Sequence, residues 1–252
     1  MSGHSKWSTI KRKKGALDAK RGALFTKIIR EITVAARAGG DDLESNARLR
    51  TAVAKAKASN MPSDNIDRAI KKGTGTLEGV VYEEVRYEGY GPGGVAILLD
   101  CLTDNKNRTT PEIRTIFGKN GGNLGDTGSV SYLFEKKGMI VLEGDGAVSE
   151  DDIIELLLDY DVEDIKTEDG SIIVTTSPEA YRDASDALMK NNYTINMNEM
   201  TYVPLTNVVL DEQKAAQCLK IIELLEDHDD VQEVYSNYDI SDEIMAKLGE
   251  DG

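Results

Sequence analysis

Lysine and arginine cluster in the first part of this chain, where they could neutralise the phosphates of a polyanion. Residues 1–75 hold 17 Lys and Arg against 7 Asp and Glu, whereas residues 76–252 hold 13 against 38. The first part therefore carries +10 and the remainder −25, although the net charge of the whole chain is −15. Because cations that contact phosphates release condensed counterions, nucleic acid is the expected partner. The acidic remainder would repel the same ligand and restrict the contact to the basic part.

The densest cations lie in an N-terminal arm, residues 1–15, which is rich in Gly, Ser and Lys and has too few apolar residues to pack by itself. Trp7 lies in this arm and could either stack on a base or anchor the arm to the protein. An ordinary solvated surface is the alternative, but ten cations against two acids in the first 37 residues argue against it. The candidate nucleic-acid-binding residues of the basic part are Lys6, Trp7, Lys11, Arg12, Lys13, Lys14, Lys20, Arg21, Lys27, Arg30, Arg48, Lys55, Lys71 and Lys72.

A second candidate contact is the polar segment that follows a predicted strand and precedes a predicted helix. Its amides, hydroxyls and cations could contact phosphates or the 2′-hydroxyls of RNA. The alternative is a capping loop, in which Asn and Thr satisfy their own backbone. The candidate residues of this segment are Asn105, Lys106, Asn107, Arg108 and Thr109.

The sequence lacks the residues that a zinc site, a nucleotide-binding loop or a set of catalytic residues would need. The chain has two histidines, His4 and His228, so a histidine-based zinc site would lack ligands. Its glycine-rich segments match neither a Walker loop nor a dinucleotide fingerprint and indicate tight turns. No Ser/His/Asp or Cys/His set has an interpretable spacing. We therefore expect no enzyme activity, no metal and no cofactor.

Cysteine usage and hydropathy indicate a cytoplasmic protein. Cys101 and Cys218 lie in apolar stretches and are expected to be reduced packing residues. No apolar run approaches the roughly 20 residues that cross a bilayer, and the N-terminus lacks the apolar segment of a secretory signal. We expect no membrane partner, and the sequence leaves the oligomeric state open.

Helical periodicity fills most of the basic part. Apolar residues recur at helical spacing over residues 16–38, and further helices are predicted over 43–59 and from Ser63 to Gly73. These helices define a three-helix domain over residues 1–76. Opposite the apolar stripe of the first helix we expect a cationic face made by Lys20, Lys27, Arg30 and Arg37.

Strand patterns follow this domain. A hairpin over residues 84–102, a helix over 111–119 and a strand over 130–134 precede a β-α-β-β-α-β order, which is that of a ferredoxin-like domain. A last strand, helix and strand complete the interrupted domain, and the final residues are expected to be frayed. We predict an α+β multidomain protein with a helical N-terminal domain and two ferredoxin-like α/β domains. The predicted domains are 1–76, the discontinuous 77–136 with 206–240, and the inserted 137–205.

Several segments together resemble the YebC/PmpR family, which includes mitochondrial translational activators of cytochrome oxidase. The resemblance covers almost the whole chain, and the start at Met1 is similar to bacterial members that lack an organelle presequence. The segments that carry the resemblance are Gly3–Trp7, Ile10–Lys14, Asn60–Pro62, Ala69–Gly73, Thr103–Thr109 and Gly125–Val130.

The resemblance implies a three-domain fold, with the last domain inserted in the second, and a cytoplasmic, non-enzymatic regulator of gene expression. Members are usually described as DNA-binding transcriptional regulators. Others act on ribosomes and assist translation of sequences such as proline runs. Two partners therefore remain open at this point, DNA or ribosomal RNA in the ribosome.

Overall fold

The computed structural model describes residues 21–143, 148–168 and 170–250, without the side chains of Arg21, Gly249 and Glu250. The chain divides into two compact units. The first unit combines the described residues up to Ser131 with those from Val208 onwards, and the second spans residues 132–207. The predicted α+β architecture is confirmed. The boundaries given above for three domains stay predictions.

Three helices open the first unit: α1 (Arg21–Gly39), α2 (Ala47–Ala58) and α3 (Ser63–Gly73). Ile32, Leu49 and Ala56 are fully buried in the core that the three helices share. The backbones of α1 and α3 meet at Gly73, where a Cβ atom would collide with the carbonyl oxygen of Thr33. A larger residue there would push the two helices apart.

Asn46 explains why α2 begins later than residue 43, where the sequence places its start. Its side-chain amide donates to the carbonyl oxygens of Ala35 and Gly40, both at 2.8 Å. Its Oδ1 accepts the N–H of Leu49 at 3.0 Å, which caps α2. One buried side chain therefore both starts α2 and ties it to the end of α1.

The first unit also contains a four-stranded antiparallel sheet. Its strands are β1 (Glu83–Tyr90), β2 (Ala96–Thr103), β3 (Asn123–Leu124) and β9 (Val231–Ser236). They lie in the order β3-β1-β2-β9. Two helices, α4 (Lys106–Lys119) and α7 (Glu212–Glu226), share an apolar core with this sheet that includes Phe117 and Ile221.

The C-terminal residues are more ordered than predicted. Strand β10 (Tyr238–Asp239) pairs in parallel with β8 (Val208–Val209), and helix α8 (Asp242–Glu250) follows. Tyr238 and Ile240 are buried in the core of the first unit. For residues 238–250 the expectation of a frayed end is wrong, because these two side chains pack into the core beside the sheet.

The second unit has the ferredoxin-like topology that the sequence predicts. Its elements are β4 (Phe134–Glu143), α5 (Glu150–Leu157), β5 (Val162–Glu168), β6 (Ser171–Thr176), α6 (Tyr181–Lys190) and β7 (Ile195–Pro204). The four strands are antiparallel in the order β5-β6-β4-β7, and both helices share one core with the sheet, which includes Ile140, Leu157 and Leu188. Among the described helices of the chain, none is long and apolar enough to cross a membrane.

The predicted separate strand over residues 130–134 is wrong, and a buried carboxylate gives the reason. Residues Ser131–Leu133 form a short 3-10 helix, and β4 begins only at Phe134. Glu88 is 3% exposed, and its carboxylate accepts the N–H groups of Gly128, Val130 and Ser131, each at 2.8 Å. Because these donors point at Glu88, they are not available for a strand ladder.

Replacing Glu88 with glutamine is expected to loosen this turn. Burial would raise the pKa of Glu88, but the three N–H donors outweigh it, so the net pKa is lowered and the group is an anion. Glutamine would turn an NH2 group towards backbone donors, and we expect a loss of about 2 kcal/mol in the free energy of unfolding. Urea denaturation measures it. The control is Glu83→Gln on the exposed start of β1, and equal losses in the two variants would refute the role of Glu88.

Cys101 is expected to be unreactive in the folded protein. Cys101 and Cys218 are both buried thiols, and burial raises the pKa of Cys101 to about 12. Since the thiolate is the nucleophile, iodoacetamide at neutral pH should leave Cys101 unmodified in the native protein and alkylate it in urea. Peptide mass spectrometry distinguishes the two states. Modification of Cys101 without denaturant would contradict the prediction.

Candidate nucleic-acid interface

The whole predicted basic arm, residues 1–15, falls outside the described residues, as does Lys20 of the first predicted helix. Arg21 begins α1, but its side chain is not described. The part of the prediction that concerns these positions stays a prediction. The positions outside the description are Lys6, Trp7, Lys11, Arg12, Lys13, Lys14 and Lys20.

The two middle cations of α1 contact the α/β part of the first unit instead of forming an open cationic face. Lys27 Nζ donates to the carbonyl oxygen of Glu226 at 2.5 Å, and burial lowers the pKa of Lys27. Arg30, whose side chain is 11% exposed, donates to the carbonyl oxygens of Leu102 and Asp229 at 3.1 and 2.7 Å. Helical spacing places both side chains on one side of α1. It cannot show that another part of the same chain occupies that side.

Asp230 is the centre of this contact. Its side chain is 1% exposed, and Oδ1 accepts from Arg30 Nη1 at 2.5 Å. Its Oδ2 accepts from Arg108 Nη2 at 2.7 Å and from the hydroxyl of Thr109 at 2.5 Å. Burial would raise the pKa of Asp230, but hydrogen bonds from Thr109, Arg108 and Arg30 and the charge of Arg30 lower it to about 2. The carboxylate therefore joins α1 to β9 and to the start of α4.

The residues of the predicted polar segment have different roles, since some make contacts within the protein and others are exposed. Asn105 accepts the N–H of Arg108 at 3.1 Å and caps α4, while Thr109 is buried against Asp230. Lys106 and Asn107 are exposed in the first turn of α4, where the positive end of the helix dipole favours an anion. The capping interpretation holds for Asn105, and these two exposed residues remain available for an external contact.

Two further predicted cations of the helical part have acidic partners inside the first unit. Arg48 Nε lies 2.6 Å from Glu31, and its Nη1 lies 2.6 Å from Glu84. Lys55 Nζ lies 3.6 Å from a carboxylate oxygen of Glu233. A phosphate would have to displace these carboxylates, so Arg48 and Lys55 are weaker candidates than the sequence suggests.

One group of cations in the helical part stays open. Arg37, Arg68 and Lys71 are exposed, Lys72 is half-buried, and none forms an ion pair with a described residue. A Cβ at Gly73 would lie 3.2 Å from the backbone N of Arg37, so Arg37 adjoins the end of α3. Arg68 lies one helical turn before Lys71 and Lys72. We call these four residues the cationic patch.

Arg68 is the member of the cationic patch that the sequence analysis missed. The signal was available, because Arg68 stands three and four residues before Lys71 and Lys72 on a predicted helix. Arg37 was placed on the cationic face of α1, but its proximity to α3 follows only from the close approach at Gly73.

Glu112, His228 and Asp230 offer ligand atoms within 4.8 Å of one another, which is the spacing of a metal site. Both oxygens of Asp230 already accept from arginine, and His228 Nδ1 accepts the N–H of Asp230 at 3.1 Å. A divalent cation there would stand beside two guanidinium groups. The arrangement is that of an ion-pair network between α1, α4 and β9.

Known proteins are similar to this chain over nearly its whole length. Sequence profiles described as "TACO1/YebC protein N-terminal domain" and "TACO1/YebC second and third domain" match residues 5–76 and 82–238. A "Probable transcriptional regulatory protein" of Syntrophus aciditrophicus is 59% identical over 98% of this chain and 99% of its own length. A protein of Geobacter sulfurreducens, also named a probable transcriptional regulatory protein, is 56% identical over 98% of this chain and 100% of its own length.

A solved structure supports the same relationship. The crystal structure of a conserved hypothetical protein from Aquifex aeolicus matches with a TM-score of 0.80 and 47% sequence identity, covering 91% of this chain and 94% of that protein. The two profiles together span most of the sequence, and the relatives align over nearly their full length. The chain belongs to the TACO1/YebC family.

Proposed function

We propose that this protein is a non-enzymatic, cytoplasmic regulator of transcription that binds duplex DNA through its N-terminal helical part. The observation that carries the proposal is the cationic patch, four cations at the adjoining ends of α1 and α3. The names of the curated relatives, probable transcriptional regulatory proteins, support the regulatory role. The basic arm, which adds the densest cations of the sequence, would extend the same contact.

The chemistry of the cationic patch favours phosphates over bases. Its members are Arg and Lys alone, which neutralise phosphate charge without reading sequence. Lys106 and Asn107 at the start of α4 would add a contact with the positive end of a helix dipole. The acidic body, which holds 38 Asp and Glu from residue 76 onwards, would keep the nucleic acid on the basic side. We therefore propose binding that depends strongly on salt and weakly on sequence.

The expected result is a steep dependence of DNA affinity on salt. For the full-length protein and a fluorescent duplex, each phosphate contact adds about −0.9 to the slope of log affinity against log salt concentration. Eight contacts, four from the cationic patch and four from the arm, would make that slope about −7. Fluorescence anisotropy over a salt series measures the slope. Binding that does not change with salt would contradict the proposal.

A parallel experiment distinguishes a role in transcription from a role in translation. Purified ribosomes are sedimented with the same protein at the same salt concentrations, and ribosome profiling is carried out on a deletion strain. If the protein binds the DNA duplex but does not sediment with ribosomes, the result supports the transcriptional role. Co-sedimentation together with altered pausing, at salt concentrations where duplex DNA is released, would replace that role with binding to ribosomal RNA.

A further inference from the structure

Two apolar side chains stand exposed on helix α5 of the second unit. Leu158, at the end of the helix, is 76% exposed, and Ile154, four residues earlier, is 41% exposed. Their neighbours Ile153 and Leu157 fill the core of the unit. Because successive helical residues are turned by about 100°, α5 carries a second apolar stripe beside the one that packs. We call Ile154 and Leu158 the α5 stripe.

The α5 stripe is held in place by local hydrogen bonds. Ser149 and Asp152 form a capping box, with the N–H of Asp152 donating to Ser149 Oγ at 3.2 Å and the N–H of Ser149 donating to Asp152 Oδ2 at 3.1 Å. The hydroxyl of Thr167 on β5 donates to Glu150 at 2.7 Å, which fixes the start of α5 beside that strand. The two apolar side chains are therefore presented on a fixed element.

Strand β5 beside this helix is an edge strand. It stands at the end of the sheet order, and the only described strand that pairs with it is β6. Its outer backbone groups are a template on which an extended segment could add. The α5 stripe and this edge together form a surface with both apolar and hydrogen-bonding capacity.

The surface around the α5 stripe is predominantly acidic. Residues 148–165 contain eight Asp and Glu and no Lys or Arg. The cations beside them, Lys166 on β5 and Lys137 on β4, already pair with Asp164 and Glu163 at 2.9 and 2.7 Å. Asp151 and Glu155, both exposed, lie three residues before Ile154 and Leu158, so they flank the stripe on the helix surface. A second copy of this chain, docked through the same face, would bring like charges together. Nucleic acid would be repelled for the same reason.

We propose that the α5 stripe and its acidic surroundings bind a Lys- and Arg-rich segment of a partner protein that carries spaced apolar side chains. The apolar side chains would cover Ile154 and Leu158, and the cations would face Asp151 and Glu155. The inference goes beyond the proposed function and does not depend on it, because the proposed DNA contact lies in the first unit.

The test uses the full-length protein and synthetic peptides as probes. One peptide has leucine at every second position, the spacing of an extended segment, with lysines between, and a second has the same lysines with serine in place of leucine. Isothermal titration calorimetry measures both. We expect the leucine peptide to bind, and the double variant Ile154→Ser with Leu158→Ser to weaken it about tenfold, since two apolar side chains lose their contacts. The matched control is Met189→Ser, on an exposed residue of α6 in the same unit.

Each outcome decides the proposal. Equal affinity for the two peptides would reduce the interaction to charge attraction and overturn it, as would a double variant that binds as well as Met189→Ser. Concentration-dependent dimerisation that the double variant abolishes, observed by analytical ultracentrifugation, would assign the stripe to self-association and overturn the choice of partner. Thermal unfolding of each variant confirms that serine leaves the second unit folded, because both replaced side chains are exposed.

Discussion

Replacing Lys11, Arg12, Lys13 and Lys14 with glutamate is expected to abolish DNA binding at physiological salt. The change removes eight of the ten positive charge units by which residues 1–75 exceed neutrality. If all four side chains contact phosphates, the slope of log affinity against log salt falls by about 4, and the affinity at low salt drops by at least about a hundredfold. Fluorescence anisotropy with a fluorescent duplex measures both quantities.

The matched control changes the same charge elsewhere. Lys119, Lys136, Arg182 and Lys190 are exposed on α4 and on the second unit, and their replacement by glutamate gives the same net charge. If this control loses affinity as much as the arm variant does, net charge alone governs binding, and the assignment to the arm fails. Circular dichroism confirms that both variants stay folded.

A further variant separates the cationic patch from the arm. Replacing Arg37, Arg68, Lys71 and Lys72 with alanine removes four positive charges without introducing acids. We expect a reduction in the salt slope of up to about 4 and an intact arm contribution. An unchanged slope would show that the cationic patch does not contact DNA, and the arm would then be the one proposed DNA contact that remains in residues 1–75.

The sequence predicts the elements of this protein well because their signals are local. Helical spacing in α1 and Ser63 at the start of α3 depend on residues close in the chain. The β-α-β-β-α-β order of the second unit follows from alternating patterns and turn residues, and the sheet order agrees with it. In each of these elements, the residues that determine the structure lie close to one another in the sequence.

The use of particular polar residues could not be predicted in the same way. Arg30 looks like a phosphate contact from helical spacing, yet its partner Asp230 is 200 residues away. Glu88 prevents the start of the predicted strand over residues 130–134 by accepting N–H groups 40 or more residues ahead. In a body with 38 Asp and Glu, nothing in the local pattern marks these two carboxylates as buried. Partners that are so far apart in the sequence become apparent only when the fold is known.

Replacing Asp230 with asparagine is expected to cause the largest loss of stability. The substitution keeps the size of the side chain but removes the negative charge that faces Arg30 and Arg108, and Arg30 is largely buried. A buried charge that loses its partner costs about 3–5 kcal/mol. Because Arg30 joins α1 to the α/β part, we also expect the helical part to unfold at lower urea concentration than the sheet, in two transitions.

The control for this variant is its neighbour. Asp229→Asn removes the same charge from an exposed side chain, while the carbonyl oxygen that accepts from Arg30 is retained. We expect its free energy of unfolding to stay within about 0.5 kcal/mol of the original protein. Equal losses in the two variants would show that the charge density of residues 227–230, not the pairing of Asp230, governs stability.

The pH dependence of unfolding tests the same pairing without altering the two arginines. The pKa of Asp230 lies at about 2 in the folded protein and at 3.8 in its ordinary state, so the folded state favours the anion. Its contribution to stability is therefore complete above pH 3.8, and is lost as the pH falls towards 2. In Asp230→Asn this contribution is absent, so the difference between the two proteins should shrink by about 2 kcal/mol across that interval. A difference that stays constant as the pH falls would show that Asp230 does not bear the charge that holds α1 in place.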